Sequence, residues 1–173
     1  MSSHLKDVHD IFISIGSNVD KESNTKAGLD SLFETFGELV MSAVYESESV
    51  GFKGSNFYNL VVKAETSLSI NEVCSALKSI EKDHGRKRGE QKFSPRTLDL
   101  DLLLYDQVIL EQPIELPRPE VLYNAFVLKP LAEISAEVLH PIANKTYAEL
   151  WHDYDKSLQR LWAINFEWSP TKL

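Results

Sequence analysis

Apolar positions recur along the chain in two rhythms, alternate and helical, and they divide it into short segments. Ile11-Phe-Ile-Ser-Ile15 reads as a buried strand ending at the turn-forming Gly16-Ser-Asn18. Ala27, Leu29, Leu32, Phe33 and Phe36 then fall at spacings near 3.6, which predicts an amphipathic helix over 24–36 closed by Gly37. A second strand is expected over 39–45. Residues 46–56 are polar or Gly apart from Val50 and Phe52, which predicts a loop long enough to be functional. Residues 59–66 are rich in strand formers, and Ser69 with Glu72 is a capping-box signature opening a second helix. Ile70, Val73, Cys74, Leu77, Ile80 and His84 line one side of that helix, and Gly85 can end it. Alternation predicts a strand over 97–105, with Val108-Ile-Leu110 as a short hairpin return. Helices follow over 123–134, kinked at Pro130, and over 147–161, before a Trp-rich tail.

Strand, helix, strand, strand, helix, strand is the order of a ferredoxin-like α+β fold, in which helices pack on one face of an antiparallel sheet. No repeat or Gly/Ser-rich linker interrupts the chain, so 1–173 is expected to be one unit, with 1–9 a flexible tail and 143–173 a C-terminal extension. At 43% hydrophobic and 25% charged residues, disordered and collagen-like classes are excluded. Cys74 is the single cysteine, which fits a reducing compartment. The longest apolar runs are far short of a membrane span, and the first residues carry no apolar signal core. The expectation is a cytoplasmic monomer that binds no membrane and, with a net charge of -8, no nucleic acid.

That charge is unevenly spread. Residues 86–96 carry +4, leaving -12 on the other 162 residues, and a concentrated basic loop on an acidic protein favours a bound polyanion. Arg86, Arg88, Lys92 and Arg96 are punctuated by Gly89 and Pro95, as in a loop that wraps a ligand; the competing reading is a solvated charge run. Asp99 and Asp101 come next. On a strand they share a face, with Cα atoms about 6.5–7 Å apart, while Leu98, Leu100, Leu102 and Leu104 fill the other face. Two parallel carboxylates repel unless a cation lies between them, and Mg²⁺ carried by a polyphosphate meets that need. An exposed polar strand face is the alternative. No P-loop, dinucleotide fingerprint, zinc spacing or Gly-x-Ser-x-Gly motif is present. His4 and His9 are expected in the tail, and His84, His140 and His152 in structural roles.

Pro95-Arg-Thr-Leu-Asp-Leu-Asp101, preceded by Glu81 and Gly85-Arg-x-Arg88, resembles almost letter for letter the signature of the 6-hydroxymethyl-7,8-dihydropterin pyrophosphokinases of folate biosynthesis. The similarity extends over Ile13-Ser-Ile-Gly-Ser-Asn18, Tyr45 with Ser47 and Gly51, Tyr58-Asn-Leu-Val-Val62 and Phe126-Val-Leu-Lys-Pro-Leu131. It implies an enzyme that moves a pyrophosphoryl group from ATP to the pterin hydroxymethyl and releases AMP. Asp99 and Asp101 would hold two Mg²⁺ ions, Arg86 and Arg96 would bind the phosphates, and Arg88 and Lys92 would close over the nucleotide. Glu81, Leu102 and Arg118 would lie beside ATP. The pterin would be met by Ser47, Val50, Phe57, Asn59 and Phe126: Asn59 offers both a donor and an acceptor, and the two phenylalanines offer flat faces. The chain departs from the family at several positions: Phe57 stands for Tyr, Lys92 for Arg, Phe93 for Trp or Tyr, Ser94 for Gly, Arg118 for His and Asn124 for Arg. Competing expectations are a diverged pterin and nucleotide binder of low or altered activity, and a non-catalytic ferredoxin-like ligand-sensing module.

Overall fold

The computed structural model describes residues 8–47, 56–84 and 98–170. In chain order the elements are β1 (His9–Ser17), α1 (Lys21–Phe36), β2 (Val40–Met41), β3 (Tyr45–Ser47), β4 (Phe57–Thr66), α2 (Ile70–Asp83) and β5 (Asp99–Tyr105). A 3-10 turn (Pro119–Leu122), α3 (Ala125–Ile134), α4 (Tyr147–Asp153) and β6 (Leu161–Ala163) follow. The sheet order is β5-β1-β4-β3-β6, with β2 also on β4, and every pairing is antiparallel. This is the expected ferredoxin-like α+β arrangement.

The helices, however, cover both faces rather than one. Leu29 and Leu32 of α1 and Val73, Leu77 and Ile80 of α2 pack on Ile11, Ile13, Ile15, Leu60 and Val62. On the other face Val127, Leu128 and Leu131 of α3, with Tyr147 of α4, pack on Phe12, Val61, Leu103 and Leu104. A strand buried on both sides loses the simple apolar-polar alternation. The partition of β5 differs from expectation for a related reason. Ile13 pairs with Leu102 and Phe12 with Leu104, so Leu103 is an extra residue, a bulge that reverses the alternation. Leu98, Leu100 and Leu102 share the α1/α2 core, but Leu104 joins Leu103 in the α3 core.

Other boundaries move for identifiable reasons. The strand expected over 39–45 is two pieces, because Ser42 Oγ accepts the Val61 N–H at 3.0 Å and displaces the regular ladder between them. β1 begins at His9, which is no tail residue: its Nδ1 lies 2.7 Å from Asp106 Oδ2 and its ring stacks on Tyr105. β1 also runs through Gly16 instead of stopping there. Val108–Leu110 forms no strand, only a single bridge from Leu110 to Leu116. α3 continues through Pro130, and the residues before Asn124 form the 3-10 turn. α4 stops at Asp153, where Lys156 Nζ donates to the Trp151 carbonyl at 2.8 Å and seals the end. The tail then returns to the body as β6 on β3, and Trp168 Nε1 donates to Asp30 on α1 at 2.8 Å.

His140 is structural. It is buried, and its Nδ1 accepts the N–H groups of Ile142 and Ala143 at 3.1 and 3.0 Å. Burial lowers its pKa from the ordinary 6.5. Protons therefore bind the unfolded chain more readily, so the stability it contributes is full above about pH 6.5 and lost as pH falls through the depressed value. Urea unfolding at a series of pH values should show His140→Asn, which keeps an acceptor near the same place, losing less stability than the parent on acidification below pH 6.5.

Candidate active site

Register decides what the sheet presents beneath α3. Gly16 pairs with Asn59 on one flank and Asp99 on the other, and Ser14 pairs with Asp101. Residues opposed across a ladder point to the same face, so Asn59 and Asp99 stand either side of a position with no side chain. A Cβ at Gly16 would lie 3.1 Å from Asn59 Oδ1, closer than ordinary contact. Glycine thus leaves the floor open. Over it lies a cleft of about 380 Å³, walled by Ser47, Phe57, Asn59, Asp99 and Asp101 from the sheet, and by Asn124 and Phe126 at the start of α3. Asn59 is buried, and its Nδ2 donates to Ser47 Oγ at 3.0 Å. An amide has two N–H groups and an acceptor, so a donor and Oδ1 remain for a ligand edge carrying both.

A second cleft, about 630 Å³, opens on the α2 side of β5. Cys74, Lys78 and Glu81 of α2 line it with Leu102 and Arg118. Asp99, Asp101 and Arg118 border both clefts. They can do so because β5 is an edge strand, reachable from either side. Arg118 is tied to that edge by its N–H, which donates to the Leu103 carbonyl at 2.9 Å. Its guanidinium bridges two acids, with Nη2 3.4 Å from Asp101 and Nε 3.0 Å from Glu120. At such exposure these pairs orient the side chains more than they stabilise the fold. Glu81 Oε2 accepts the N–H of Leu100, the residue between the aspartates, at 2.8 Å. Burial raises the Cys74 pKa, against the opposing pull of Lys78 and Arg118, so the thiol is a neutral wall group.

Two carboxylates are hard oxygen donors of the kind Mg²⁺ takes, and Mg²⁺ commonly completes its shell with water and substrate phosphate. Among the described residues no group of three or more His, Cys, Asp or Glu forms a cage for a metal. Asp99 and Asp101, two oxygen donors on one strand face, fit a Mg²⁺ ion whose other positions are taken by water and phosphate.

Of the residues expected from sequence, Ser47, Phe57, Asn59 and Phe126 come together in the first cleft. Glu81, Leu102 and Arg118 come together in the second, with Asp99 and Asp101 between. Val50, Arg86, Arg88, Lys92 and Arg96 lie outside the described residues.

The family profile described as 7,8-dihydro-6-hydroxymethylpterin-pyrophosphokinase (HPPK) matches residues 12–136. The chain belongs to this family. It is 39% identical over 142 residues to the 2-amino-4-hydroxy-6-hydroxymethyldihydropteridine pyrophosphokinase of Aquifex aeolicus, covering 80% of this chain and 88% of that one. It is 35% identical over 132 residues to the enzyme of the same name from Bacillus subtilis, covering 73% and 78%. Among solved structures it resembles a Plasmodium falciparum HPPK-DHPS, with a TM-score of 0.68 at 13% identity over 87% of this chain and 46% of that chain. That likeness concerns the fold.

The HPPK match ends before Gln159, which lines the first cleft although nothing in its sequence surroundings marks it. Beyond its place in the family-like stretch Ile13–Asn18, Gly16 reads in sequence as a turn signal, since its role comes from the neighbours that register supplies. Lys78 and Cys74 read as ordinary helix positions. Removing the Glu81 carboxylate should leave the Leu100 N–H unpaired: Glu81→Ala is expected to lose about 1–3 kcal/mol in urea unfolding, and Glu81→Gln, which keeps an acceptor, less.

Proposed function

We propose that the protein transfers pyrophosphate from ATP to the hydroxymethyl group of 6-hydroxymethyl-7,8-dihydropterin and releases AMP. The observation that carries this reading is the placement of Asp99 and Asp101 at the border of two clefts with different linings. One has aromatic faces and a half-satisfied amide, suited to a flat heterocycle with a donor-acceptor edge. The other has Lys78, Arg118 and Glu81 in a larger recess on the α2 side, suited to a nucleotide.

The reaction forms a bond from the pterin hydroxyl oxygen to the β-phosphorus, breaks the bond from that phosphorus to the oxygen that leaves with AMP, and releases the hydroxyl proton. Two Mg²⁺ ions, held by Asp99 and Asp101, would supply neutralisation of the phosphate charge. The protein's own part is chiefly positioning. Asn59 reads the pterin edge and Phe57 and Phe126 hold its faces. Ser47 fixes the Asn59 amide, and Gly16 leaves room beneath it. Arg118, paired with Asp101 and Glu120, holds positive charge at the meeting point of the two substrates. Glu81 keeps the aspartate strand in place. On the strength of the family motif, Arg86 and Arg96 bind the phosphates, Arg88 and Lys92 close over the nucleotide, and Val50 contributes a pterin contact. The same reading carries a cytoplasmic protein acting as a monomer; among the described residues no helix is long and apolar enough to cross a membrane.

AMP release with ATP, Mg²⁺ and the pterin tests the reaction directly, and its absence from folded protein would overturn the proposal in favour of a binding module. In that assay Asp99→Ala and Asp101→Ala should each lower turnover at least about 10²-fold while leaving the unfolding midpoint near the parent's. Calorimetric titration should separate the clefts. Asn59→Ala is expected to weaken pterin binding by about 1–3 kcal/mol, because the ligand's polar edge is left unpaired, and to leave binding of an ATP analogue nearly unchanged.

A further inference from the structure

The segment after α4 reaches back into the first cleft through one side chain. Gln159, half-buried, accepts the N–H of Ala125 at 2.7 Å through Oε1 and donates to Asn124 Oδ1 at 3.2 Å through Nε2. Ala125 is the first residue of α3, and Asn124, its N-cap, makes no side-chain cap of its own. Gln159 thus caps α3 from 34 positions further along the chain. The segment around it is held on both sides. The Tyr154 hydroxyl donates to the Tyr123 carbonyl at 2.7 Å, and Leu161 of β6 pairs with Ser47, the partner of Asn59.

These contacts form a chain of forced orientations. A backbone N–H can only donate, so the face of Gln159 toward Ala125 must be its oxygen. Its NH₂ then faces Asn124, which must offer Oδ1 in return. A planar amide with its oxygen committed on one side carries its NH₂ on the other. Asn124 lines the cleft, in the company of Asn59 and Phe126.

We propose that Gln159 is a positioning residue for the pterin: through Asn124 it presents an N–H donor to an acceptor atom of the bound heterocycle, and it seats the end of α3 that carries Phe126. The proposal rests on the function given above. It also gives the C-terminal segment, which lies beyond the HPPK match, a part in substrate selection. Neither Gln159 nor Asn124 borders the second cleft, so the nucleotide does not depend on the pair.

Gln159→Glu is the informative substitution. It keeps an acceptor for Ala125, so α3 stays capped, but it cannot donate to Asn124. The Asn124 amide then turns its NH₂ toward the new carboxylate and its oxygen into the cleft. Titration with 6-hydroxymethylpterin, in the presence of Mg²⁺ and a non-hydrolysable ATP analogue, should show affinity lowered at least about tenfold. Affinity for the ATP analogue should stay within about twofold, and the urea midpoint should match the parent's. In an Asn124→Ala background Gln159→Glu should have little further effect on pterin affinity, because one residue acts through the other. Unchanged pterin affinity in folded Gln159→Glu, or effects of the two substitutions that simply add, would overturn the proposal. Parent protein that binds the nucleotide analogue but no pterin would instead overturn the function proposed above, and with it the ligand named here.

Discussion

The register of β1 between β4 and β5 is the constraint on which the rest of the site depends. It aligns Asn59, Gly16 and Asp99 across three strands and places Ser14 beside Asp101. A slip of one residue would turn each of these side chains into the opposite core. Burial enforces the alignment from both sides, since β1 contributes Ile11, Ile13 and Ile15 to one core and Phe12 to the other. The bulge at Leu103 comes after the aspartates. Asp99 and Asp101 therefore keep a regular two-residue spacing, while the rest of β5 is free to fill the α3 core with Leu103 and Leu104.

The second requirement is a fixed roof. α3 is seated at both ends by side chains distant in sequence. At its C-terminal end Glu133 accepts the Tyr45 hydroxyl at 2.7 Å and the Ala43 N–H at 2.8 Å. Burial and the nearby Glu133 carboxylate push the Tyr45 pKa up, so the phenol remains a neutral donor. Between the two ends Lys129 lies over the rings of Tyr45 and Trp151, at 5.6 and 5.0 Å from their centroids. At the N-terminal end Gln159 completes the anchorage. A helix held in this way fixes Phe126 over the floor to which Gly16 and Asn59 contribute, and ligand binding need not include the cost of ordering that wall.

Electrostatics sets the two clefts apart. Among the described residues of the second cleft, Lys78 on α2 and Arg118 at the junction carry positive charge. Arg118 is shared between Asp101 and Glu120, so the border carries both signs. Such a border suits a ligand whose anionic groups arrive already partnered with cations.

Much of this was determined by the sequence alone. Alternation and capping signals located the core strands, α1 and α2, and the strand order specified the ferredoxin-like sheet, because local periodicity and short connections act over a few residues. The Asp-x-Asp spacing put both carboxylates on one face for the same reason: two-residue periodicity is a property of any strand. What tertiary structure decided were features that depend on partners far along the chain. The second helical layer, the bulge that moved Leu104, the split at Ser42 and the return of the tail as β6 all answer to contacts that no local pattern encodes. So does the pairing of Gln159 with Asn124, 35 positions apart. Gly16 shows the difference most clearly. In sequence a glycine after a strand signals a turn, and only the strands laid on either side of it made it the floor of a cleft, where the absence of a Cβ is its contribution.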